Sequence, residues 1–404
     1  MALLLPHETT AAGHDASDNW GAWIDGYGGL IPRWEVLFNI TVLRLISFNF
    51  DYYWSLDHSK VNGLEVSDIL MCLKCPLLDN IANTFQKKNL DPAALTERDR
   101  ISTPPSPESF TFRNYVAYTL YAPLYLAGPI LTFNDYMSQT RYPLSSISPY
   151  RTGMYAVRFL ICLLTMELVL HYLYVVAISK ADPDWSHYTP LQLSLLAYFN
   201  LHVIWLKLLL PWRFFRLWSL VDGIDPPENM VRCATDNYST QAFWRGWHRS
   251  FNRWITRYIY IPLGGSHVGK VRAIGNFFAV FTFVALWHDI NLHLLVWGWL
   301  ITLFVVPEFI ATVAFPPKSW KSRPNAYRML TGIGGVGNIM MMMIANLVGF
   351  AVGLDGLKGL LMGIVGSLGG RLFLLAGMAT TFVAVQLLFE WRESEKRRGV
   401  SMKC

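Results

Sequence analysis

Phe243-Trp244-Arg245-Gly246-Trp247-His248-Arg249-Ser250-Phe251-Asn252-Arg253-Trp254 runs on to Arg257-Tyr258-Ile259-Tyr260-Ile261-Pro262-Leu263-Gly264-Gly265. Read as one helix over 243–260, this stretch sets Arg245, Arg249, Arg253 and Arg257 on a single drifting stripe, because residues four apart are neighbours on a helix. Trp244, His248, Phe251 and Ile255 form the adjacent face, and Asn252 follows His248 by one turn. A helix so charged does not cross lipid; it lies in the interface or lines a cavity. Ile261 to Gly265 ends it, since proline and glycine do not continue a helix. Alone, such a helix would hold anionic lipid headgroups. The functional reading is a site for the phosphates of a cosubstrate, because the planar arginine fork donates two hydrogen bonds at once. His248 is then a catalytic or positioning group.

Further along, Val284-Ala285-Leu286-Trp287-His288-Asp289 closes an apolar run that begins at Asn276, and a second run covers 294–306. His288, Asp289, Asn291 and His293 lie between them. Polar side chains are costly in lipid and face a cavity or a partner there. A buried histidine can be purely structural. A neutral imidazole can also take a proton from a hydroxyl and give it back, which suits acyl transfer.

The rest of the chain fits a membrane setting. Of 404 residues, 53% are hydrophobic and only 15% are charged, against about 25% charged in a soluble protein. The class is all-α and polytopic. Apolar stretches of spanning length cover 114–134, 157–179, 191–222, 274–306, 329–353 and 372–390. The third and fourth are long enough for two helices, or for one helix and a re-entrant turn, so about seven or eight membrane helices are predicted. Residues 1–32 form a polar leader, and 33–392 form the membrane domain. Within that domain 34–50 suit an interfacial or re-entrant helix, and 80–110, rich in charge and proline, form a solvent loop. Residues 393–404, with Lys396, Arg397 and Arg398, form a basic tail that the positive-inside rule puts in the cytoplasm.

Several other functions are disfavoured. The net charge of +6 is spread beside apolar segments, so nucleic acid is not the partner. Cys72 and Cys75 have metal-ligand spacing but no second pair, so no metal is assigned. Gly332-Ile333-Gly334-Gly335-Val336-Gly337 has the form of a nucleotide-binding loop, yet it follows no strand and opens an apolar segment, which points to close helix packing. Glu167 and His171, one turn apart, and Asn200, His202 and Lys207 suit pairing between helices more than a proton relay. Pro123 and Pro129 break a helix, and a broken helix at membrane depth lines a cavity.

Trp244-Arg245-x-Trp247-His248-Arg249-Ser250, Arg257-Tyr258-x-Tyr260-Ile261-Pro262-Leu263-Gly264-Gly265 and Ala285-Leu286-Trp287-His288-Asp289 together resemble the membrane-bound O-acyltransferase family. Within it the chain is similar to the fungal glycerol-uptake branch, related to hedgehog acyltransferase. The segments Phe38 to Asn49 and Tyr125 to Asp135 match that branch too, and the similarity covers most of 30–392.

The resemblance implies membrane helices around a tunnel. Acyl-CoA enters as cosubstrate from the cytosolic face, and the acceptor comes from the other side or the membrane; no cofactor is bound. His288 takes the place of the family's intramembrane histidine and acts as general base. His248 takes the second polar position, where the hedgehog branch tends to carry an acidic residue; the difference favours a hydroxyl acceptor over a protein amine. Asn252 helps His248 to position the reacting groups, and Arg245, Arg249 and Arg253 meet the CoA phosphates. The implied setting is the endoplasmic reticulum membrane, with the plasma membrane as a second location. The implied acceptor is a lysophosphatidylinositol-type lipid, such as a lyso-GPI anchor under lipid remodelling. Two alternatives stand beside it. One is a glycerol/cation transporter coupled through Glu167, His171 and Lys207, which should show internal repeats, and none is visible. The other is a protein acyltransferase of the hedgehog type. Family members usually begin with further membrane helices, whereas here a short polar leader precedes the match. The resemblance therefore implies a shortened start that opens part of the tunnel wall.

Overall fold

The computed structural model describes residues 34–61, 95–181, 183–265, 270–288, 292–347 and 353–400. Among these, regular structure is helical apart from a lone bridge between Met230 and Trp247. The chain divides into two compact units, one of Met1–Gly153 with Phe214–Pro226 and one of Met154–Arg213 with Pro227–Cys404.

The first unit is built on α1, Trp34–Val61. Arg44, a charge within the stretch 34–50, is 4% exposed. Its guanidinium donates to the carbonyl oxygens of Tyr118 and Thr119 at the end of α3, Phe112–Thr119. Those carbonyls have no partner within their own helix, and a cation is the natural cap. Two further buried side chains on α1 act the same way on α5, Phe133–Arg141. Ser47 accepts from the N–H of Phe133 and Asp51 from that of Asn134. Residues 44, 47 and 51 share one helical face. α1 therefore buries a polar seam that satisfies the ends of two short helices.

The segment 114–134 is not a span. It divides into α3, α4 (Ala122–Leu126) and an irregular link before α5. Pro123 opens α4. At Gly128 a Cβ would come within 2.5 Å of the Pro123 oxygen, so only glycine lets the chain turn there. The 80–110 stretch is folded where it is described. Glu97–Ser102 forms α2, and Arg100 is buried with its Nε 2.6 Å from Asp135 Oδ1. Cys72 and Cys75 lie outside the described residues.

The second unit holds most of the long apolar helices: α6 (Pro149–Tyr172), α8 (Pro190–Val221), α12 (Leu292–Ala314), α13 (Pro324–Asn346) and α15 (Leu368–Arg397); the first residues of α6 and the last of α8 are assigned to the first unit. Short α7 (Val175–Lys180) follows α6. Among the described residues five helices are long and apolar enough to cross a membrane, and two shorter apolar segments, Ile274–His288 and Gly356–Gly366, accompany them. The latter lies in α14, Gly353–Gly366. Stretch 191–222 is a single helix despite Pro211, and 274–306 is two. Leu160, Ile161, Leu164 and Leu168 on α6, and Leu372, Leu375 and Leu387 on α15, are exposed, as lipid-facing side chains are. The glycine run sits inside α13. A Cβ at Gly332 would meet the Phe382 ring at 2.7 Å, and one at Gly335 would meet Val385 at 3.0 Å. These glycines let α13 and α15 approach closely. Glu167 and His171 pair at 3.9 Å within α6 and do not join two helices.

Truncating Arg44 to Ala leaves two buried helix-end carbonyls unsatisfied, at a cost of about 2–3 kcal/mol. We expect Arg44→Ala to unfold earlier in detergent than the parent by several degrees on a thermal scan, whereas Asn49→Ala, on the exposed side of the same helix, leaves the midpoint unchanged.

Candidate active site

The stretch 243–260 is not one helix. α9 covers Thr240–Gly246, α10 covers Arg249–Ile255, and Thr256–Tyr260 forms a π-helical turn. The break falls at Trp247 and His248. α9 starts conventionally, with Ser239 Oγ accepting from the N–H of Ala242. Its first turn is also held by Glu308 of α12, which accepts from the Ser239 hydroxyl and from the N–H of Gln241. α10 starts differently. His248 occupies its N-cap with φ 47° and ψ 52°, the left-handed region, and its side chain caps nothing. That conformation costs about 1–2 kcal/mol for a residue with a Cβ. The cap comes from Asn229, distant in sequence. Its carbonyl accepts from the N–H of Arg249 and its Oδ1 from that of Ser250, both at 3.1 Å. The bridge between Met230 and Trp247 aligns the two segments.

The break redistributes the predicted cationic stripe. Arg245 is exposed at the end of α9, while Arg249 and Arg253 lie one turn apart on α10. Arg257, in the π turn, sits over the Tyr258 ring at 5.5 Å. Asn252 is half-buried and donates its backbone N–H to the His248 carbonyl. The chain then turns at Gly264 (φ 100°) and Gly265 (φ 57°), a backbone that glycine adopts without strain. Asn276 of α11, Lys270–His288, donates to the carbonyls of Leu263 and Gly265 and ties that turn down.

Phe251, 4% exposed, joins the two histidines. Its ring centroid lies 5.2 Å from that of His248 and 6.4 Å from that of His288, which ends α11. Trp287 packs 4.4 Å from Phe251, and Trp254 stacks on Phe283, so α10 lies on α11 through aromatic faces. On its other side the His248 imidazole stacks at 4.5 Å on Trp212 of α8. Burial pushes the His248 imidazole well below its ordinary pKa, and the nearby His288 adds to the shift. His248 is thus neutral at pH 7, able to accept or donate a proton but not to act as a fixed cation. Asp289, Asn291 and the side chain of His293 lie outside the described residues.

The loop that carries Asn229 is itself latched. Arg232 pairs with Glu395 at 2.7 Å and with Asp236 at 3.1 Å, and Arg392 pairs with Asp236 at 2.7 Å. Trp212, Asn229 and Phe283 escaped the sequence reading because nothing local to 243–260 points to them.

A family model described as membrane-bound O-acyltransferase matches residues 23–353, a range that holds both histidines. The chain belongs to the membrane-bound O-acyltransferase family. It is 47% identical over 382 residues to membrane-bound O-acyltransferase gup1 of Schizosaccharomyces pombe, covering 95% of this chain and 61% of that protein. It is 48% identical over 388 residues to membrane-bound O-acyltransferase GUP1 of Saccharomyces cerevisiae, covering 96% and 64%. A more distant match, 28% over 196 residues, is to protein-cysteine N-palmitoyltransferase HHAT of Mus musculus, covering 48% and 39%. The chain thus spans about three fifths of the length of the fungal relatives. The matched range ends at the start of α14, so α15 latches the Asn229 loop from outside it.

The left-handed conformation at His248 can be tested without any assay of function. Asparagine tolerates that region and a β-branched residue does not. We expect His248→Val to be less stable than His248→Asn by about 1–2 kcal/mol, read as a lower thermal midpoint in detergent. Equal midpoints would contradict the break.

Proposed function

We propose that the chain is an O-acyltransferase that moves a long acyl chain from acyl-CoA to a lipid hydroxyl, with a lyso-GPI or similar lysophosphatidylinositol-type lipid as acceptor, in the endoplasmic reticulum membrane. The observation that carries the reading is the gathering of His248 and His288, from two different helices, on the one Phe251 ring. Family membership and the O-acyltransferase names of the fungal relatives support it.

In this reading His288 is the general base. The acceptor hydroxyl gives its proton to the imidazole as its oxygen attacks the thioester carbonyl. The carbon–sulfur bond then breaks, and the coenzyme leaves as a thiol with the proton returned by His288. His248, neutral and stacked, holds or polarises the reacting carbonyl together with Asn252. Arg249 and Arg253, one turn apart on α10, meet the CoA phosphates, and exposed Arg245 adds charge at the entrance.

The test uses membranes that hold the parent or His288→Ala at matched protein level, labelled long-chain acyl-CoA and lyso-GPI lipid. Label should enter the diacyl lipid with the parent and fall by about 10²- to 10⁴-fold with the variant, the usual range for losing a general base. Turnover retained by His288→Ala would refute the role of His288. Acylation of a secreted polypeptide in place of the lipid would move the assignment to a protein acyltransferase.

A further inference from the structure

The segment 240–260 has a competitor to its observed form. Helical periodicity runs through it without interruption, and a continuous helix would satisfy the N–H groups of Arg249 and Ser250 with the carbonyls of Arg245 and Gly246. That helix would turn His248 away from Trp212. In the structure those N–H groups are withdrawn from the helix and given to Asn229. Asn229 is 2% exposed and Ser250 is equally buried, so water does not take over if the acceptor is lost. α10 is seven residues long and cannot hold its own start.

We propose that Asn229 is a positioning residue: by accepting the two N–H groups that follow His248, it selects the broken helix and so holds the imidazole between Trp212 and Phe251. The proposal rests on the acyl-transfer reading for its consequence in catalysis, but the placement itself stands on geometry. One more feature makes it testable. The Asn229 Nδ2 group is buried and has no hydrogen-bond partner, so an oxygen in its place sacrifices no bond. Aspartate keeps both acceptors; alanine keeps only the backbone one.

Two readouts separate placement from catalysis. The first is carbethoxylation of His248 by diethyl pyrocarbonate in purified full-length protein, mapped by mass spectrometry. The stacked imidazole of the parent should react slowly. Asn229→Ala should react about fivefold faster or more, and Asn229→Asp should stay near the parent. Where the alanine variant does not give a monodisperse peak, Asn229→Gln, the same amide displaced by one methylene, replaces it. The second is acyl transfer. Asn229→Ala should lower kcat about tenfold or more with KM for acyl-CoA unchanged, and Asn229→Asp should recover most of the rate. In a His248→Ala background the same Asn229→Ala change should cost nothing more, because it acts through His248. Unchanged labelling of His248 in Asn229→Ala overturns the proposal, even where His288→Ala abolishes transfer. An additive loss in the double variant overturns it too. Faster labelling in protein that transfers no acyl group in any form, the parent included, keeps the placement and sinks the acyl-transfer reading.

Discussion

A helical periodicity is interrupted at Trp247 and His248, and the candidate site depends on that interruption. His248 sits in the left-handed region because the two N–H groups after it bond to Asn229 and not to the turn before. With the break in place, α10 can lay Phe251 and Trp254 against α11 while His248 faces Trp212. A continuous helix would present one face to α11 and could not also turn His248 towards α8. The strain of a single left-handed residue is small beside the aromatic surface that the break allows to be buried.

The same logic recurs through the fold. Short helices in a membrane protein leave many N–H and carbonyl groups unpaired at their ends, and no water reaches them in lipid. Side chains from elsewhere supply the partners. Arg44, Ser47 and Asp51 on α1 close the ends of α3 and α5. Glu308 on α12 holds the start of α9, and Asn229 holds the start of α10. Polar residues that look like interruptions of apolar sequence are in these cases the fasteners of neighbouring broken helices.

The latch of Arg232, Asp236, Arg392 and Glu395 extends this arrangement to the end of α15. It ties the loop after Asn229 to a helix beyond the range matched by the family model. A half-buried network of four charges, with the Arg232 and Arg392 guanidinium groups each meeting both carboxylates, resists opening more than an isolated surface pair does.

Much of this was legible from residues alone. Apolar runs of spanning length announced a helical membrane protein, and the glycine run of 332–337 announced helix packing, because hydrophobic length and glycine spacing are local quantities. The turn at Ile261 to Gly265 was equally plain, as was the candidacy of His248 and His288. What sequence periodicity could not decide was whether 243–260 stays one helix. Its arginine and aromatic spacing is helical throughout, and the acceptor that breaks it lies in a loop ahead of α9. The supposed span at 114–134 is broken where α3 ends at Thr119, Pro123 opens α4 and the chain turns closely at Gly128. Composition and spacing determined that this chain is a helical membrane protein and which histidines are candidates. Only tertiary structure decided how the two histidines meet, because that depends on hydrogen bonds between segments that the sequence keeps apart.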